Sequence, residues 1–309
     1  MLDEESFKGD TGNRPSLDKI GVIGLGLMGT EIAANLAAVG HCVRAYVRRP
    51  ARLVELKALN LIPTTSMQDL SDCNILLSML PDDDAVREVF FGKTATEGIA
   101  AHLGPGTIHL SMSTISTTAS AEFAHAHKIR GQDYVAAPVF GNPAAAKARE
   151  LAVIVAGPVT ACKRCSPLIE RLGRTFFVGS EPAQANLIKL LGNMMTATTL
   201  QVLGELIALL RKRGQDPQQF LDIMTGTMFG SRVHTIYGRR IVAGDYAPGL
   251  AMPMALKDVR LALAEAEKAS VAIPSVSVVR DRMITAIARG HAARDWTALA
   301  LLAFEEAGL

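Results

Sequence analysis

The first half of the chain alternates short apolar runs with longer stretches in which apolar residues recur at helical spacing. Runs rich in β-branched residues and bounded by turn residues predict strands, and the periodic stretches between them predict helices. Such alternation is typical of a parallel sheet with helices on both faces, the doubly wound α/β fold. The predicted strands are Lys19–Ile23, Cys42–Val47, Asn74–Met79, Gly106–Leu110, Tyr134–Ala136, Leu151–Val155 and Thr175–Val178, and the helices between them include Thr30–Val39, Asp83–Phe90 and Ser116–His127.

From about residue 180 the pattern becomes helical throughout. One helix is predicted to begin near Pro182 and to end at Gly214, after a basic cluster that suits the negative end of the helix dipole. A helix of about 30 residues spans roughly 45 Å. Between Leu187 and Leu210 its only charged residues are Lys189 and Glu205, so we expect this helix to be buried on most sides. Further helices are predicted at Met254–Ala269 and Pro274–Arg289.

These patterns divide the 309 residues into three parts. Residues 1–17 are polar and rich in turn-forming residues, and we expect them to form a flexible tail. Residues 18–180 are predicted to form the α/β domain. Residues 181–309 are predicted to form an all-α domain, which the long helix links to the first. A hydrophobic content of 49% is sufficient for domain cores of this size.

The charge balance and the apolar pattern argue against several classes of partner. The 32 basic and 30 acidic side chains nearly cancel, so we expect neither nucleic acid nor a membrane surface as a partner. No signal-peptide pattern and no run of about 18 uncharged apolar residues is present, so we expect no membrane-spanning helix. A cytoplasmic protein is the default expectation.

The cysteines and histidines predict no metal site. Cys162 and Cys165 have C-x-x-C spacing, but no second pair follows, and we expect two thiols one turn apart on a helix. Without a secretion signal, a disulfide framework is not expected. His125 and His127 lack zinc-site spacing to other histidines and are more typical of a surface helix.

A glycine-rich turn follows the first predicted strand and precedes a helix. Gly24, Gly26 and Gly29, with Leu27 and Met28 between the last two, form the pattern G-x-G-x-x-G. In this context the glycines allow a tight turn, a close approach of a pyrophosphate and close packing of helix on strand. The turn therefore predicts a Rossmann-type dinucleotide site. A glycine-rich turn without a cofactor is the alternative.

The end of the second strand predicts which dinucleotide is bound. NAD-dependent enzymes usually place an acidic residue there, to bind the ribose hydroxyl. This chain has Arg48 and Arg49 instead, and guanidinium groups suit the 2′-phosphate of NADP. NADP(H) is therefore the predicted cofactor, and a solvated basic loop is the alternative.

Two polar residues on the long helix are candidates for catalysis. An ammonium group at the start of an apolar helix, such as Lys189, is energetically expensive unless it is used. Asn193 lies four residues later, on the same helix face. From the residue types alone, a lysine that extends to solvent beside a surface amide is an equally good interpretation.

In these motifs and in several others, the sequence resembles the β-hydroxyacid dehydrogenase family, which includes 3-hydroxyisobutyrate dehydrogenases and glyoxylate/succinic semialdehyde reductases. The resemblance extends from about Lys19 to Leu309 and depends on the order of several short motifs rather than on any one. The motifs are Gly24-Leu25-Gly26-Leu27-Met28-Gly29, Met79-Leu80-Pro81, Ser113-Thr114-Ile115, Ala137-Pro138-Val139, Lys189-Leu190-x-x-Asn193, Lys257-Asp258 and Asp295-Trp296-Thr297-Ala298-Leu299.

The resemblance implies roles for two loops of the α/β domain. Met79, Leu80 and Pro81 correspond to the loop that packs along the cofactor. Ser113 and Thr114 correspond to the pair that holds substrate oxygens near the nicotinamide. Both loops would follow predicted strands.

The resemblance also assigns the reaction. It implies hydride transfer between NADP(H) and a small carbonyl/alcohol pair, such as an aldehyde or a β-hydroxyacid. Lys189 would protonate the carbonyl oxygen or, in the reverse direction, remove the hydroxyl proton. Asn193 would orient the lysine or the substrate. Lys257 would close over the cofactor, and Asp258 would be structural.

The chain departs from the family pattern where the substrate is expected to bind. The family's Ser-Gly-Gly is replaced here by Phe140, Gly141 and Asn142, which puts a small carboxylate substrate in doubt. Phe229 and Tyr237 are expected to reach the substrate pocket and suggest an apolar substrate portion; core packing is their alternative role.

Two alternatives to the leading hypothesis stay open. Reduction of an imine or bulky ketone on the same scaffold would explain the departures from the family pattern. A non-catalytic NADPH-binding module would keep the glycines but would not need Lys189 together with Asn193. In either case we expect a homodimer or a dimer of dimers, since a second copy would cover the apolar long helix.

Overall fold

The computed structural model describes residues 18–93 and 97–309, so the tail predicted for residues 1–17 lies outside the described residues. The chain divides into two compact units. The first ends at Lys189 and the second is Leu190–Leu309. This division falls within one helix, whereas the sequence pattern places the domain boundary near residue 180, at the start of that helix. The position of the domain boundary therefore stays a prediction.

Within the described residues, the first unit contains one nine-stranded sheet in the order β3-β2-β1-β4-β5-β6-β8-β7, with β9 beside β8. The strands are β1 (Lys19–Ile23), β2 (Cys42–Tyr46), β3 (Ile62–Thr64), β4 (Ile75–Ser78), β5 (Ile108–Ser111), β6 (Asp133–Ala136), β7 (Val139–Phe140), β8 (Leu151–Ala156) and β9 (Gly173–Gly179).

Helices cover both faces of this sheet. Successive residues of a strand point to opposite faces, and in the central strands both sets of side chains are buried. In β4, for example, Ile75 and Leu77 pack into one apolar cluster and Leu76 into the other, as expected for a strand covered on both sides. The helices of the first unit are α1 (Leu27–Ala38), α2 (Leu53–Lys57), α3 (Asp83–Phe91), α4 (Thr117–Ile129), α5 (Pro143–Ala148) and α6 (Val159–Ile169). The doubly wound α/β prediction is confirmed.

The order of the strands predicts where a ligand crevice lies. From β1 the chain continues to β2 and β3 on one side of the sheet, and then returns to β4 on the other side of β1. Open α/β sheets bind ligands at such a switch point, beyond the carboxyl ends of the strands. The register pairs Ile23 with Ser78, so the segments that follow β1 and β4 leave the sheet side by side.

The sheet differs from the prediction in two respects. It contains β3 and β7, which are too short, at three and two residues, to give a strand pattern. It is also not wholly parallel, because β8 runs antiparallel to β6 and β7. Residues 141–150 connect β7 to β8, and this is shorter than the dozen or more residues that a parallel crossover needs.

Helices dominate the second unit. Helix α7 (Ala183–Lys212) starts in the first unit and continues into the second, ending close to the predicted position. Leu200, Leu203 and Ile207 contribute its buried face in the second unit. The other helices are α8 (Pro217–Thr225), α9 (Arg239–Ala243), α10 (Met252–Lys268), α11 (Pro274–Ala286) and α12 (Leu299–Glu306). The all-α second part of the chain is confirmed.

Helix α7 is the one helix of the described residues that is long and apolar enough to cross a membrane, by length and composition alone. The sequence predicts no membrane-spanning helix, since it contains no run of about 18 uncharged apolar residues. Half of the most apolar window of α7 is buried inside the protein, as in the core helices of water-soluble proteins. Its hydropathy is therefore weak support for a membrane span.

The two C-x-x-C thiols lie on α6 and are buried. Burial raises the pKa of Cys162 to about 12 and raises that of Cys165 as well. Because the thiolate is the reactive form of cysteine, both side chains are unreactive at neutral pH.

Candidate active site

The glycine turn links the ends of β1 and β4. Gly24 has φ +97°, and a Cβ atom there would overlap the main-chain carbonyl of Met79. A Cβ atom at Gly29 would overlap the carbonyl of Gly24. Packing within the protein therefore accounts for the first and third glycines of the motif.

The second glycine of the motif has a different environment. A Cβ atom at Gly26 would meet no protein atom within 4 Å, and its φ of −75° is accessible to any residue. Open space above the middle glycine is the feature that a pyrophosphate needs. The residues present therefore fit a dinucleotide cofactor.

The start of α1 adds an electrostatic contribution to this site. Gly26 is its N-cap and supplies no side-chain hydrogen bond, and the first turn carries no acidic residue. Leu27 and Met28, the first two residues of the helix, therefore present main-chain N–H groups that no side chain caps. The positive end of the helix dipole favours phosphate at this position.

The loop that follows β4 is held by two hydrogen bonds. Met79 donates its main-chain N–H to Ile23 O at 2.9 Å. Leu80 donates its N–H to Ser113 Oγ at 2.8 Å, so the predicted cofactor loop and the predicted substrate serine are in direct contact. Ser113 is buried and keeps its hydroxyl proton available for a second partner. Pro81, which follows Leu80, is exposed, and Thr114, which follows Ser113, is half-buried.

The arginines after β2 lie in two different settings. Arg48 and Arg49 are exposed, as residues that bind a ligand phosphate must be before the ligand arrives. Arg52 is half-buried and donates through Nη1 to the main-chain carbonyl of Leu25, inside the glycine turn. Its Nη2 also bonds Glu55 at 2.9 Å. Nothing in the sequence signals this contact beyond the basic character of the segment.

Lys189 is a buried cation on α7, at the point where the first unit ends. It is 8% exposed, and its Nζ lies 4.6 Å from the centre of the Phe140 ring. A cation over an aromatic face is attracted by the ring quadrupole. The sequence identified both residues as candidates but could not show that they are in contact.

The two residues after Phe140 have structural tasks. Gly141 has φ +146°, a conformation that favours glycine. The Asn142 side chain accepts a hydrogen bond from Ala145 N at 2.9 Å and caps α5. Asn142 is a predicted substrate-pocket residue, and in the structure its side chain bonds the start of its own helix.

In the second unit, three predicted residues form one cluster. Asn193 donates through Nδ2 to Asp258 Oδ2 at 2.6 Å. Lys257 Nζ forms an ion pair with Asp258 Oδ1 at 3.1 Å. Asp258 is buried and joins the other two residues. Asn193 lies one helical turn after Lys189 on α7, so helical spacing places both on one face of that helix.

Tyr237 and Phe229 lie in different surroundings in the second unit. Tyr237 sits in a π-helical turn, His234–Gly238, and its ring meets that of Trp296 edge-on at 5.8 Å. Burial raises the pKa of Tyr237, and Asp295 raises it further. Phe229 is exposed and lines a cavity of about 450 Å³. The contacts of Tyr237 are those of a core residue, and Phe229 is open to a partner.

A buried polar chain that the sequence did not reveal lies behind the cofactor loop. Ser78 Oγ is 2.8 Å from His109 Nε2, and His109 Nδ1 is 2.9 Å from His127 Nε2. His127 Nδ1 is 2.8 Å from Gln132 Oε1. The expectation that His127 lies on a surface helix is wrong, since its side chain is fully buried on the inner face of α4, whereas His125 is exposed.

Comparison with known families agrees with this geometry. Residues 19–179 match the profile of the NAD binding domain of 6-phosphogluconate dehydrogenase, and residues 183–303 match that of the NAD-binding region of NADP-dependent 3-hydroxyisobutyrate dehydrogenase. The chain belongs to the β-hydroxyacid dehydrogenase family. The resemblance inferred from the ordered motifs is thus confirmed. Like other β-hydroxyacid dehydrogenases, the chain is an oxidoreductase that uses a nicotinamide cofactor.

Individual relatives match over nearly their whole length. An uncharacterized oxidoreductase of Bacillus subtilis is 36% identical over 284 residues, which cover 91% of this chain and 98% of that protein. The 2-hydroxy-3-oxopropionate reductase of Escherichia coli is 30% identical over 283 residues, covering 91% and 95%.

Solved structures extend the comparison to the fold. The 3-hydroxyisobutyrate dehydrogenase of Salmonella typhimurium superposes with a TM-score of 0.84 at 22% identity, covering 92% of this chain and 99% of that one. An imine reductase from Bacillus cereus superposes with a TM-score of 0.60 at 19% identity, covering 92% and 98%. At these identities the similarity demonstrates a common fold.

Proposed function

We propose that this enzyme transfers a hydride between NADP(H) and a small carbonyl/alcohol pair, an aldehyde or a β-hydroxyacid, with Lys189 as general acid and base. The observation that carries the proposal is a nearly buried ammonium in the same unit as a glycine turn with room for a pyrophosphate. The similarity to a 2-hydroxy-3-oxopropionate reductase supports a carbonyl compound as substrate.

Lys189 moves the proton of the reaction. NADPH, when bound, supplies the hydride. As the carbonyl oxygen gains negative charge, the Lys189 ammonium donates a proton to it and becomes a neutral amine. In the reverse direction, neutral Lys189 takes the hydroxyl proton while the hydride leaves the carbon. A positioned acid of this kind contributes about 10²–10⁴-fold to the rate.

The other candidate residues bind and orient in this proposal. Ser113 donates its free hydroxyl proton to a substrate oxygen while it accepts from the cofactor loop. Asn193 orients the substrate or the lysine, and Lys257 contacts the cofactor. The residues proposed to line the cofactor are Gly24, Gly26, Leu27, Met28, Gly29, Met79, Leu80, Pro81 and Thr114.

The preference for NADP(H) is assigned to Arg48 and Arg49. Both are exposed at the end of β2, where a 2′-phosphate can form charge-assisted hydrogen bonds. Replacing both by alanine is expected to weaken NADPH binding by at least about tenfold and to leave NADH binding unchanged. Titration of cofactor fluorescence measures both affinities. Equal affinities of the unaltered enzyme for NADPH and NADH would contradict the assignment.

The role of Lys189 is tested by Lys189→Met, which keeps the length and apolar stem of the side chain. We expect turnover of aldehydes to fall by at least about 10²-fold while NADPH affinity is retained. Lys212→Met changes an exposed lysine on the same helix and should leave turnover unchanged. Full activity of Lys189→Met would exclude the proton-transfer role.

Reduction of an imine or a bulky ketone is the second candidate function. The contact of the Phe140 ring with Lys189 favours it, because an aromatic residue at this position suits a larger apolar substrate. A panel of cyclic imines, bulky ketones and small aldehydes, with NADPH oxidation as the readout, separates the two candidates. Turnover confined to imines would select the second.

We also propose a homodimer or a dimer of dimers. Helix α7 exposes Leu191, Met195, Val202, Leu206 and Leu209, and large exposed apolar patches mark interaction surfaces. A second copy of the chain would bury it. Light scattering at micromolar concentration is expected to give at least twice the mass of 32.9 kDa. A monomeric mass would contradict the proposal.

A further inference from the structure

The side chain against Lys189 is an aromatic ring at a position where the family pattern has a small polar residue. Phe140 ends β7 and is half-buried, so part of its ring surface stays accessible. Its ring centre lies 4.6 Å from Lys189 Nζ. One side of the ammonium therefore faces an apolar surface. This surface offers a substrate carboxylate neither a hydrogen-bond donor nor a positive charge.

We propose that Phe140 determines the substrate class: the enzyme accepts carbonyl compounds with an uncharged, apolar substituent near the carbonyl and discriminates against a carboxylate in the same place. This inference rests on the proposed role of Lys189 in protonating the carbonyl oxygen. It adds to that role the identity of the group beside the reacting carbon.

Geometry connects the ring to the substrate. A carbonyl oxygen that takes a proton from Lys189 lies about 3 Å from Nζ. With Nζ 4.6 Å from the centre of the Phe140 ring, that oxygen lies at most about 8 Å from the ring centre. Groups two or three bonds from the carbonyl carbon are then within reach of the ring.

The chemistry of the ring decides which groups are favoured there. An apolar group gains from burial against the ring, and one or two methylene groups change kcat/KM by about 10–200-fold. A carboxylate in that place would lose water without gaining a hydrogen bond from the ring.

A matched pair of aldehydes tests the inference. 4-Methylpentanal and 4-oxobutanoate have the same number of non-hydrogen atoms, and an isopropyl group in the first replaces the carboxylate in the second. We expect kcat/KM of the unaltered enzyme to be at least about tenfold higher for 4-methylpentanal. Phe140→Ser should lower this ratio by at least about tenfold.

Two conservative variants separate the apolar character of the ring from its effect on the ammonium. Phe140→Leu keeps an apolar surface but loses the π face, so it should retain the preference for 4-methylpentanal with a lower kcat. Phe140→Tyr keeps the ring and should retain both. A general loss of structure would also weaken NADPH binding. A lower kcat with normal NADPH affinity and an unchanged ratio of kcat/KM between the two aldehydes therefore identifies a specific effect of the ring.

Phe91→Ser is the control for loss of a phenylalanine from a cation–π contact. Phe91 lies at the end of α3 away from the cofactor loop, and Arg130 lies 5.5 Å from its ring centre. The ratio between the two aldehydes should stay as in the unaltered enzyme.

A preference of the unaltered enzyme for 4-oxobutanoate, or a ratio that Phe140→Ser leaves unchanged, would overturn the inference. If neither aldehyde is reduced, the proposed function fails, and the inference is decided by binding. Calorimetric titration of both aldehydes into the protein, with and without NADP⁺, gives the affinity ratio in the absence of turnover. Tighter binding of 4-methylpentanal that Phe140→Ser abolishes would still support the role of Phe140.

Discussion

His109 and His127 share one hydrogen bond in the interior of the first unit, with Nδ1 of His109 2.9 Å from Nε2 of His127. The bonds around this pair fix its direction. Gln132 donates both amide protons to main-chain carbonyls, at 2.8 and 2.9 Å, so its oxygen accepts from His127 Nδ1. His127 Nε2 then accepts from His109 Nδ1, and His109 Nε2 accepts from the hydroxyl of Ser78. Burial lowers the pKa of both side chains and so disfavours an imidazolium here, which leaves both imidazoles neutral and protonated at Nδ1.

This arrangement predicts loss of stability in mild acid. Burial lowers the pKa of His127 to about 4, and burial together with His127 lowers the pKa of His109 well below 6.5. Below pH 6.5 the unfolded chain takes up protons that the folded protein excludes, so the stabilisation is complete above pH 6.5 and is lost as the pH falls toward 4. His127 alone accounts for roughly 3 kcal/mol over this range. Urea unfolding at pH 7, 6 and 5 measures the slope.

The variant His127→Gln tests the source of this slope. It removes one titrating group, so its unfolding free energy should depend less steeply on pH than that of the unaltered protein. His125→Gln changes an exposed histidine two residues away and should leave the slope unchanged. Equal slopes in all three proteins would mean that the buried pair does not control acid stability.

At Gly204 on α7, we expect alanine to be less favourable than glycine, although it lies within a helix. Alanine is ordinarily more favourable than glycine within a helix by about 1 kcal/mol. A Cβ atom at Gly204 would lie 2.6 Å from Ala300 Cα and 2.9 Å from Ala300 Cβ, and such overpacking costs about 1–3 kcal/mol. We therefore expect Gly204→Ala to lower the melting temperature. A higher melting temperature would contradict this, and it would show that α7 and α12 move apart easily to admit the methyl group.

The sequence predicts the parts of the site that follow from local pattern. The Gly24 turn is recognisable because its strand, glycines and helix are contiguous, and Lys189 stands out as a charge in an apolar helix. The contacts of Phe140 with Lys189 and of Arg52 with the glycine turn join distant segments, and no local periodicity encodes them. The same holds for His127, whose buried partners come from other elements of the sheet domain.

Asp295 anchors the chain in the second unit, and its replacement is predicted to be severely destabilising. Its Oδ2 accepts from the N–H groups of Gly249 and Leu250 at 3.0 and 2.9 Å. Its Oδ1 accepts from the Thr297 hydroxyl at 2.8 Å and lies 3.3 Å from Arg240 Nη1. Asp295 is 1% exposed, so Asp295→Ala leaves buried donors unpaired and should lower the unfolding free energy by about 3–5 kcal/mol.

An exposed aspartate provides the comparison for Asp295. Asp281 forms an ion pair with Arg280 at 2.8 Å on the surface, and exposed pairs contribute about 0–1 kcal/mol. Asp281→Ala should therefore leave the urea midpoint nearly unchanged. Similar midpoints for the two alanine variants would show that the Asp295 hydrogen bonds are replaced by water.

Alanine substitutions at two glycines of the cofactor turn are predicted to have different effects, one on the stability of the fold and the other on NADPH affinity. Gly24→Ala imposes a side chain at φ +97° and against the Met79 carbonyl, so it should destabilise the fold by at least about 1–3 kcal/mol. Gly26→Ala has room for its methyl group in the protein alone, so its melting temperature should stay unchanged. That methyl group fills the space assigned to the pyrophosphate, and NADPH affinity should fall by at least about tenfold. Melting curves and NADPH fluorescence titrations of both variants separate the two effects. Undiminished NADPH binding by Gly26→Ala would place the pyrophosphate elsewhere.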